Sequence, residues 1–403
     1  MKAAEKLTLC STIVLGFFIL SLFFHYIQGV YIHASYPLTT YLVLPDDALG
    51  DFRGLCEMLA QFDPFHATYR GYGNNYPPFT YLSIAPFTAM GFKTGVTVYF
   101  TITLIGFLLF VWKIIRGAGP LTDINIIHFF ILGTLTYPLQ FSLDRANVEN
   151  LCFLFTAAFL VAWRSKRETL AAFLLGIAAA IKVIPGLFAV VFLPERRFRP
   201  IIIAALVAVV CNAIAMVAFN MSPGELIYAY QTSAPSFKRF SLGPVSPVQH
   251  SVSLLAAFRA LVVLVLPERG IDQTFITNIT SVYGTLAPGL FLLIIGAAFT
   301  RWTENWEKLL LVVAATLLVP PISFDYKLLH LFIPFALFMT DDKPTPRDRI
   351  YTILFALLFS AKGFWIIYSD VSISVVVNAI ALATMAVMIT ETAVRRRRAS
   401  LAS

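Results

Sequence analysis

The sequence predicts an all-α integral membrane protein of about twelve transmembrane helices, with further helices at its external surface. Of its 403 residues, 58% are hydrophobic and only 13% are charged, whereas soluble domains carry about 25% charged residues. The apolar residues form runs near the ~20 residues that a helix needs to cross a bilayer. These runs lack the period-two alternation of membrane strands, which excludes a β-barrel.

The basic residues indicate how the chain is oriented in the membrane. The net charge is +8, but the cations cluster at the ends of apolar runs, which is typical of cytoplasmic loops rather than of nucleic-acid binding. Lys2, Lys6 and Arg395–Arg398 predict that both termini are cytoplasmic, so the number of crossings should be even. We interpret the first run, Leu7–Ile27, as a retained helix rather than a cleaved signal peptide. The four cysteines suggest neither a disulfide framework nor a metal cluster.

Because each basic patch is expected to be cytoplasmic, the direction in which each apolar run crosses the membrane can be assigned in order along the chain. The predicted crossings are 7–27, 96–115, 124–143, 146–163, two short helices around 182–185, then 200–219, 276–300, 308–320, 326–339, 350–368 and 371–393. The apolar segments 76–92 and 250–266 would have both ends outside, so we interpret them as interfacial or re-entrant helices. Lys182-Val183-Ile184-Pro185 lies between two basic patches, which predicts a pair of helices that folds back at this break.

The polar stretches divide the chain into one membrane domain and two external loops. We expect a single transmembrane domain over 1–403, a first external loop at 28–92, and a second at 220–274 that contains the interfacial helix. Because the longest polar stretches are external, any chemistry is expected at the outer surface of the membrane.

The first loop contains three candidate carboxylates. Asp46 and Asp47 fit a solvated acidic loop. Asp51 precedes a helical-looking segment, so it is either a helix cap or a general base. Tyr76, at the start of Tyr76-Pro77-Pro78, either starts a helix or lines a substrate site.

Two further groups place cations where an anion could bind. Arg145, Asn147 and Glu149 fall within about one helical turn at an external junction; they are either solvated there or bind a phosphate through the arginine. Lys182 lies alone in an apolar segment, where it either snorkels or meets an anion within the membrane.

A third group follows Pro320-Pro321 at another external junction. Asp325 and Lys327 lie at this junction, and His330 shares a face with Lys327; the histidine is also explained as a buried, hydrogen-bonded imidazole. His250, which precedes the segment with Arg259, carries little signal alone. Together the groups suit an enzyme that binds a lipid phosphate from the outer leaflet, with cations on the phosphate and a carboxylate that deprotonates a hydroxyl.

Four stretches carry a resemblance to a known family and cover most of the chain between about 45 and 340. The stretches are Gly50-Asp51-Phe52 with Tyr76-Pro77-Pro78-Phe79, Arg145–Glu149, Gly176–Pro185 with Arg196–Arg199, and Pro320–Lys327. With them the sequence resembles glycosyltransferase family 87 of the GT-C superfamily, and within it the α-mannosyltransferases that depend on polyprenol-phosphate mannose. In one respect it departs from the family: where a histidine often follows the aspartate of the last stretch, this chain has Tyr326 and Lys327.

The resemblance implies a GT-C multi-helix bundle with an external active site. It implies a polyprenyl-phosphate sugar as donor, inversion at the anomeric carbon, and Asp51 as general base, with Asp46 and Asp47 as rivals. Arg145, Lys182 and Lys327 would bind the donor phosphate. The remaining substrate-binding candidates are Asp46, Asp47, Tyr76, Asn147, Glu149, His250, Asp325 and His330.

We therefore expect a multi-pass protein of the cytoplasmic membrane that transfers a hexose, mannose above all, to a lipid or glycolipid acceptor outside. We expect no metal and no cofactor, and a monomer surrounded by membrane lipids without a nucleic-acid partner. Arabinofuranosyl transfer from a decaprenyl-phosphate donor is an alternative reaction. A lipid or solute transporter is an alternative of another class, although transporters tend to show paired repeats and midplane sites.

Overall fold

The computed structural model describes residues 1–30, 49–61, 76–119, 123–242, 250–266, 272–341, 344–364, 366–368 and 371–402. These residues are almost all helical, as predicted. The α-helices are α1 (Ala3–Val30), α2 (Gly50–Ala60), α3 (Pro78–Ala89), α4 (Phe92–Ala118), α5 (Asp123–Thr134), α6 (Tyr137–Arg145), α7 (Glu149–Arg164), α8 (Glu168–Ile181), α9 (Phe198–Ala218), α10 (Pro223–Leu242), α11 (Leu254–Val265), α12 (Gln273–Ala298), α13 (Asn305–Leu318), α14 (Phe332–Met339), α15 (Asp348–Phe359) and α16 (Ser374–Ala402). Two 3₁₀ helices, Ile184–Phe192 and Asp325–Leu331, and the antiparallel strands β1 (Ile366–Tyr368) and β2 (Val371–Ser372) complete the described elements.

Six stretches of the described helices are long and apolar enough to cross a bilayer. They are Ala3–Ile27, Phe92–Ala118, Asp123–Arg145, Phe198–Ala218, Thr274–Ala298 and Ser374–Leu401. The predicted number of twelve is therefore not confirmed. The run at 350–368 shows the reason: α15 ends at Phe359, before Lys362, and the chain continues into β1 instead of one long helix.

The predicted break at Lys182 is present. Helix α8 ends at Ile181, and Lys182 is extended, with φ −143° and ψ 131°. The following segment is a 3₁₀ helix with Pro185 in its first turn, a position where proline is tolerated because its missing N–H has no helical partner. The break therefore presents the Lys182 side chain at the junction of two short helices.

The described residues between 220 and 272 include the helices α10 and α11, of which α11 was predicted. Helix α11 corresponds to the segment 250–266 and is too short to count as a membrane span. Ser253 caps it by accepting a hydrogen bond from the Ala256 N–H at 3.1 Å, which is a common N-cap arrangement. Helix α10 was missed because its polar, proline-containing sequence forms no apolar run.

The chain forms two compact units. The first, which we name the Asp51 unit, comprises Asp46–Phe107 and Leu143–Ser246. In this unit α8 packs against both α7 and α9, and α3 packs on α8 and α9. A side chain at Gly176 would lie 2.6 Å from the Ala204 carbonyl oxygen, so glycine permits the close approach of α8 and α9.

The second unit, which we name the Asp325 unit, comprises Met1–Pro45, Leu108–Ser142 and Pro247–Ser403. Helix α13 is its centre, since every side chain from Trp306 to Leu318 is buried, as expected of a helix that is almost entirely apolar after its first turn. Glu304 and Glu307 form a capping box at its start. Around α13 and α15 the core contains stacked aromatic rings, with Phe332 and Phe359 centred 4.2 Å apart.

Helices α9 and α12 expose large apolar side chains instead of burying them. Val217 on α9 is 81% exposed, and Leu293 on α12 is 71% exposed. Each helix is also long enough to cross a bilayer. Such surfaces are expected to contact lipid, where an apolar exterior carries no hydration penalty.

Candidate active site

A strained turn between α6 and α7 builds the first polar cluster, which lies in the Asp51 unit. Ala146 has φ 47°, the left-handed region that residues with a Cβ rarely adopt. Its N–H donates to the Leu143 carbonyl at 2.9 Å, and the Leu49 N–H donates to the Asp144 carbonyl at 2.8 Å. The turn thus places Arg145 and Asn147 on either side of Ala146, and the Leu49–Asp144 hydrogen bond connects it to the start of α2.

Asp51 lies in the first turn of α2 and accepts hydrogen bonds from both of these side chains. Arg145 donates to Asp51 Oδ1 at 2.5 Å, and Asn147 Nδ2 donates to Asp51 Oδ2 at 2.6 Å. The N-cap of α2 is Leu49, so the alternative that Asp51 merely caps the helix is wrong. The side chain keeps 21% of its surface exposed, which leaves room for a substrate hydroxyl to approach.

Asn147 is the connecting residue of the cluster. It is 1% exposed, and its Oδ1 accepts from the Glu149 N–H at 2.8 Å and from Lys182 Nζ at 3.2 Å. Tyr99 donates its hydroxyl to the Asn147 carbonyl at 2.5 Å. Because two donors face Oδ1 and a carboxylate faces Nδ2, only one orientation of the amide satisfies all of these bonds.

Lys182 reaches the same cluster from the break after α8. Its Nζ forms an ion pair with Glu149 Oε2 at 2.5 Å and lies 5.4 Å from the centre of the Tyr76 ring, within the range of a cation–π contact. Thr80 on α3 donates to the Ile181 carbonyl at 2.6 Å. This bond satisfies a carbonyl at the open end of α8 and fixes the position from which Lys182 extends.

Tyr76 precedes α3 and forms one wall of the cluster. Its carbonyl accepts the Tyr230 hydroxyl at 2.8 Å. Burial raises the pKa of Tyr76, and the positive charge of Lys182 opposes that shift. The phenol therefore stays protonated and remains a hydrogen-bond donor at neutral pH.

Opposite charges are matched within this cluster. Arg145 pairs with Asp51, with side-chain exposures of 16% and 21%. Lys182 pairs with Glu149, with exposures of 13% and 4%. Each carboxylate of the cluster therefore faces a cation of the protein.

A second polar cluster lies in the Asp325 unit. Tyr137 donates its hydroxyl to Asp325 Oδ2 at 2.5 Å, and the Tyr137 hydroxyl oxygen also lies 3.3 Å from His250 Nδ1. The Asp325 N–H donates to the His250 carbonyl at 2.8 Å, and His250 stacks on Phe141 with ring centres 4.8 Å apart. His250 and Asp325, both predicted as substrate-binding residues, are therefore neighbours, but Asp325 is only 1% exposed.

Lys362 supplies a positive charge near this second cluster. Its Nζ donates to the Leu357 and Ser360 carbonyls at 2.5 and 3.2 Å, where the negative end of the α15 dipole stabilises a cation. Burial raises the pKa of Asp325, while the Tyr137 hydrogen bond and the charge of Lys362 oppose the shift. Burial likewise lowers the pKa of Lys362, and Asp325 opposes that change.

Two of the remaining predicted residues belong to the Asp325 unit. Lys327 and His330 are in the 3₁₀ helix Asp325–Leu331, where Lys327 is half-buried and His330 is 6% exposed. Asp46 and Asp47 lie outside the described residues. Of the predicted set, the structure brings together Asp51, Tyr76, Arg145, Asn147, Glu149 and Lys182 in one cluster.

Sequence reasoning missed three contributors to the two clusters, Tyr99, Tyr137 and Lys362. Tyr99 and Tyr137 lie within apolar helices, where a tyrosine is interpreted as a core or interface residue. Lys362 was detectable, because a lysine within the apolar stretch 350–368 is costly without a function or a partner.

Comparison with known proteins identifies one relationship. The family model for glycosyltransferase family 87 matches residues 74–321, which is more than half of the chain. No curated protein and no solved structure matches. The matched stretch contains Tyr76, Arg145, Asn147 and Lys182, and Asp51 lies before it but is hydrogen-bonded to two of its residues.

Proposed function

This chain belongs to glycosyltransferase family 87, and we propose that it transfers a hexose, mannose above all, from a polyprenyl-phosphate donor to a lipid or glycolipid acceptor. As a member of that family it is a membrane glycosyltransferase. The donor, the sugar and the acceptor are our proposal. The likeness of its motifs to those of α-mannosyltransferases that use polyprenol-phosphate mannose supports them.

The observation that carries the proposal is the Asp51 carboxylate beside two cations. Asp51 is partly exposed and is bonded to Arg145 at 2.5 Å. Asn147 links it to Lys182, whose Nζ lies 3.2 Å from the amide oxygen. Transfer from a glycosyl phosphate requires these two functions side by side: a base for the acceptor hydroxyl, and positive charge for the departing phosphate.

The proposed reaction is a single displacement at the anomeric carbon. The acceptor oxygen attacks that carbon, and its proton passes to the Asp51 carboxylate. The bond between the anomeric carbon and the phosphate oxygen breaks, and the electron pair leaves with the polyprenyl phosphate. Arg145 and Lys182 offset the charge that develops on this phosphate. Attack from the face opposite the leaving group inverts the anomeric configuration, and the step requires no cofactor.

Charge along α7 supports an active site on the outer side of the cytoplasmic membrane. The helix begins at Glu149, inside the cluster, and ends at Arg164, which with Arg167 forms a basic patch. Sixteen helical residues extend about 24 Å, so the cluster and the patch are well separated. Because cytoplasmic loops are enriched in Lys and Arg, the cluster would face the periplasm or the cell exterior.

The test is an assay of the purified protein in proteoliposomes with polyprenyl-phosphate mannose and membrane lipids as acceptors. We expect equal amounts of released polyprenyl phosphate and glycosylated lipid, with the inverted anomer identified by NMR. Polyprenyl-phosphate arabinofuranose serves as the comparison donor. Transfer from that donor alone would contradict the assignment of a hexose. Release of neither product, together with uptake of the donor into the vesicles, would contradict the proposed reaction.

A further inference from the structure

Both cations of the Asp51 cluster are already engaged by carboxylates of the protein. Arg145 pairs with Asp51, and Lys182 pairs with Glu149. The four formal charges cancel, although a polyprenyl-phosphate donor would bring at least one further negative charge. An added anion therefore competes with these carboxylates for the two cations.

The two pairs differ in how firmly they are held. The Lys182–Glu149 pair is the more buried, with Glu149 at 4% exposure, and separating it would leave a buried carboxylate without its cation, which is costly. Lys182 is also hydrogen-bonded to Asn147 and lies over the Tyr76 ring. In the Arg145–Asp51 pair the carboxylate is 21% exposed, so separating this pair leaves a carboxylate that water can still reach and costs less than leaving the buried Glu149 without its cation.

The guanidinium is also the cation better suited to exchange its partner. Arg145 carries five donors in a planar fork that matches a phosphate as well as a carboxylate. Asp51, in turn, accepts a hydrogen bond on each oxygen, one from Arg145 and one from Asn147, and the positive charge of Arg145 opposes the transfer of a proton from an acceptor hydroxyl to this carboxylate. An acceptor hydroxyl can donate to Asp51 most readily after Arg145 has released Oδ1.

We propose that Arg145 exchanges between Asp51 and the donor phosphate, so that arrival of the phosphate frees the base for the acceptor. This inference rests on the proposed function. Before the donor binds, Arg145 donates to Asp51 Oδ1. When the polyprenyl-phosphate sugar binds, Arg145 moves to the phosphate, and Asp51 Oδ1 becomes available to the acceptor hydroxyl. The donor consequently binds before the acceptor, and Asp51 competes with the phosphate for Arg145 until then.

If Asp51 competes with the phosphate for Arg145, removing the charge of Asp51 should strengthen phosphate binding. An aspartate that acted only as a base would not have this effect. Geranylgeranyl phosphate, a short polyprenyl monophosphate, is titrated into the purified protein, with geranylgeraniol as the control that has the same chain and no phosphate. Asp51→Asn should bind the phosphate about three- to tenfold more tightly than wild type, because the competing charge is gone. Arg145→Gln should bind it more weakly, and Asp51→Asn should give no further gain in the Arg145→Gln background.

Glu149→Gln is the comparison variant, since it removes the partner of the other cation. Because Lys182 remains hydrogen-bonded to Asn147 and over the Tyr76 ring, the gain in phosphate affinity from Glu149→Gln should be smaller than that from Asp51→Asn. If Glu149→Gln bound the phosphate more tightly than wild type and Asp51→Asn bound it with unchanged affinity, the exchange would be assigned to Lys182 and the proposal would be overturned. Unchanged or weaker binding in Asp51→Asn would also overturn it. If Asp51→Asn increases the affinities for geranylgeraniol and for geranylgeranyl phosphate by the same factor, then Asp51 affects binding of the tail and not of the phosphate. That result would also overturn the proposal.

Kinetics on the wild-type protein provide a second, independent measurement. Initial rates at varied donor and acceptor concentrations should follow an ordered mechanism in which the donor binds first. The acceptor should not bind to the protein in the absence of donor. Random order would overturn the exchange while leaving glycosyl transfer intact. A wild-type protein that transfers no sugar and binds no polyprenyl phosphate would contradict both the proposed function and the exchange.

Discussion

Asn147 donates to the Asp51 carboxylate at 2.6 Å while its own amide oxygen accepts from Lys182 at 3.2 Å. One buried side chain therefore fixes the proposed base and one proposed phosphate ligand. The amide has a single orientation that satisfies these contacts. Its neighbour Ala146 adopts a strained conformation that puts Asn147 in place, and strain of this kind is concentrated at functional sites.

The Asn147→Asp variant tests the connecting role of this amide. The substitution replaces a donor to Asp51 by a second carboxylate of the same shape, so two negative charges would repel each other at hydrogen-bond distance. We expect transfer activity to fall by about 10²-fold, measured as the initial rate per folded protein. The exposed Asn305 at the start of α13 provides the matched control, and Asn305→Asp should retain wild-type activity. Equal activities of the two variants would contradict the role of Asn147.

The Lys182–Glu149 pair predicts a specific pattern of stabilities. Lys182→Met leaves Glu149 buried without its cation, and we expect a loss of about 3 kcal/mol. The double variant Lys182→Met/Glu149→Gln should lose at least about 1 kcal/mol less, since it removes both charges. Thermal unfolding in detergent measures these differences, and Lys93→Met, at an exposed lysine of the same unit, should change stability by less than about 0.5 kcal/mol. Additive losses would show that the two side chains do not interact.

The turn at Ala146 predicts a substitution that stabilises the protein. Glycine adopts φ near 47° without a steric penalty, so Ala146→Gly should raise the unfolding free energy by about 0.5–1 kcal/mol. The comparison is Ala157→Gly, in the interior of α7, which should lower it by about 1 kcal/mol. Both are measured by thermal unfolding. A loss of stability in Ala146→Gly comparable to that of Ala157→Gly would show that the turn is not strained.

The second cluster predicts a pH dependence of stability. Burial raises the pKa of Asp325 to about 6, so the folded protein holds this proton more tightly than the unfolded chain, where an aspartate titrates near ~3.9. Its contribution to stability therefore increases as the pH falls from 7 through the folded value toward the unfolded one. Relative to Asp325→Asn, which cannot titrate, wild type should gain on the order of 2 kcal/mol between about pH 7 and about pH 4.5.

The exposed Asp123 at the start of α5 supplies the control for this experiment. Unfolding curves of Asp123→Asn should run parallel to those of wild type across the same pH range. Parallel curves for Asp325→Asn as well would contradict the burial of an ionisable Asp325.

The sequence predicted those parts of the molecule that depend on local patterns. The Lys-x-x-Pro break identified the junction at Lys182. The basic patches on either side of it identified the end of α7 and the start of α9. The contact of Arg145 with Asp51 joins residues 94 positions apart, and no local pattern specifies such a pair; the resemblance to a family assembled this cluster in advance. The contact of Tyr137 with Asp325, 188 positions apart, had no such guide and was missed.

Helix lengths show the same limit. The run 308–320 is as apolar as a membrane span, yet α13 is a short helix enclosed on all sides by the rest of its unit. Periodicity cannot distinguish a helix buried in protein from one surrounded by lipid, since both lack a polar face. The number of crossings was therefore the least predictable feature of the fold.

The most direct test of the central claim is the single-turnover rate of Asp51→Asn with polyprenyl-phosphate mannose bound and acceptor in excess. A base that removes the acceptor proton typically contributes 10²- to 10⁴-fold to a rate, so we predict a loss of about that size with the donor still bound. Asp123→Asn, treated identically, should match wild type. A single-turnover rate for Asp51→Asn within about twofold of wild type would contradict the assignment of Asp51 as the general base.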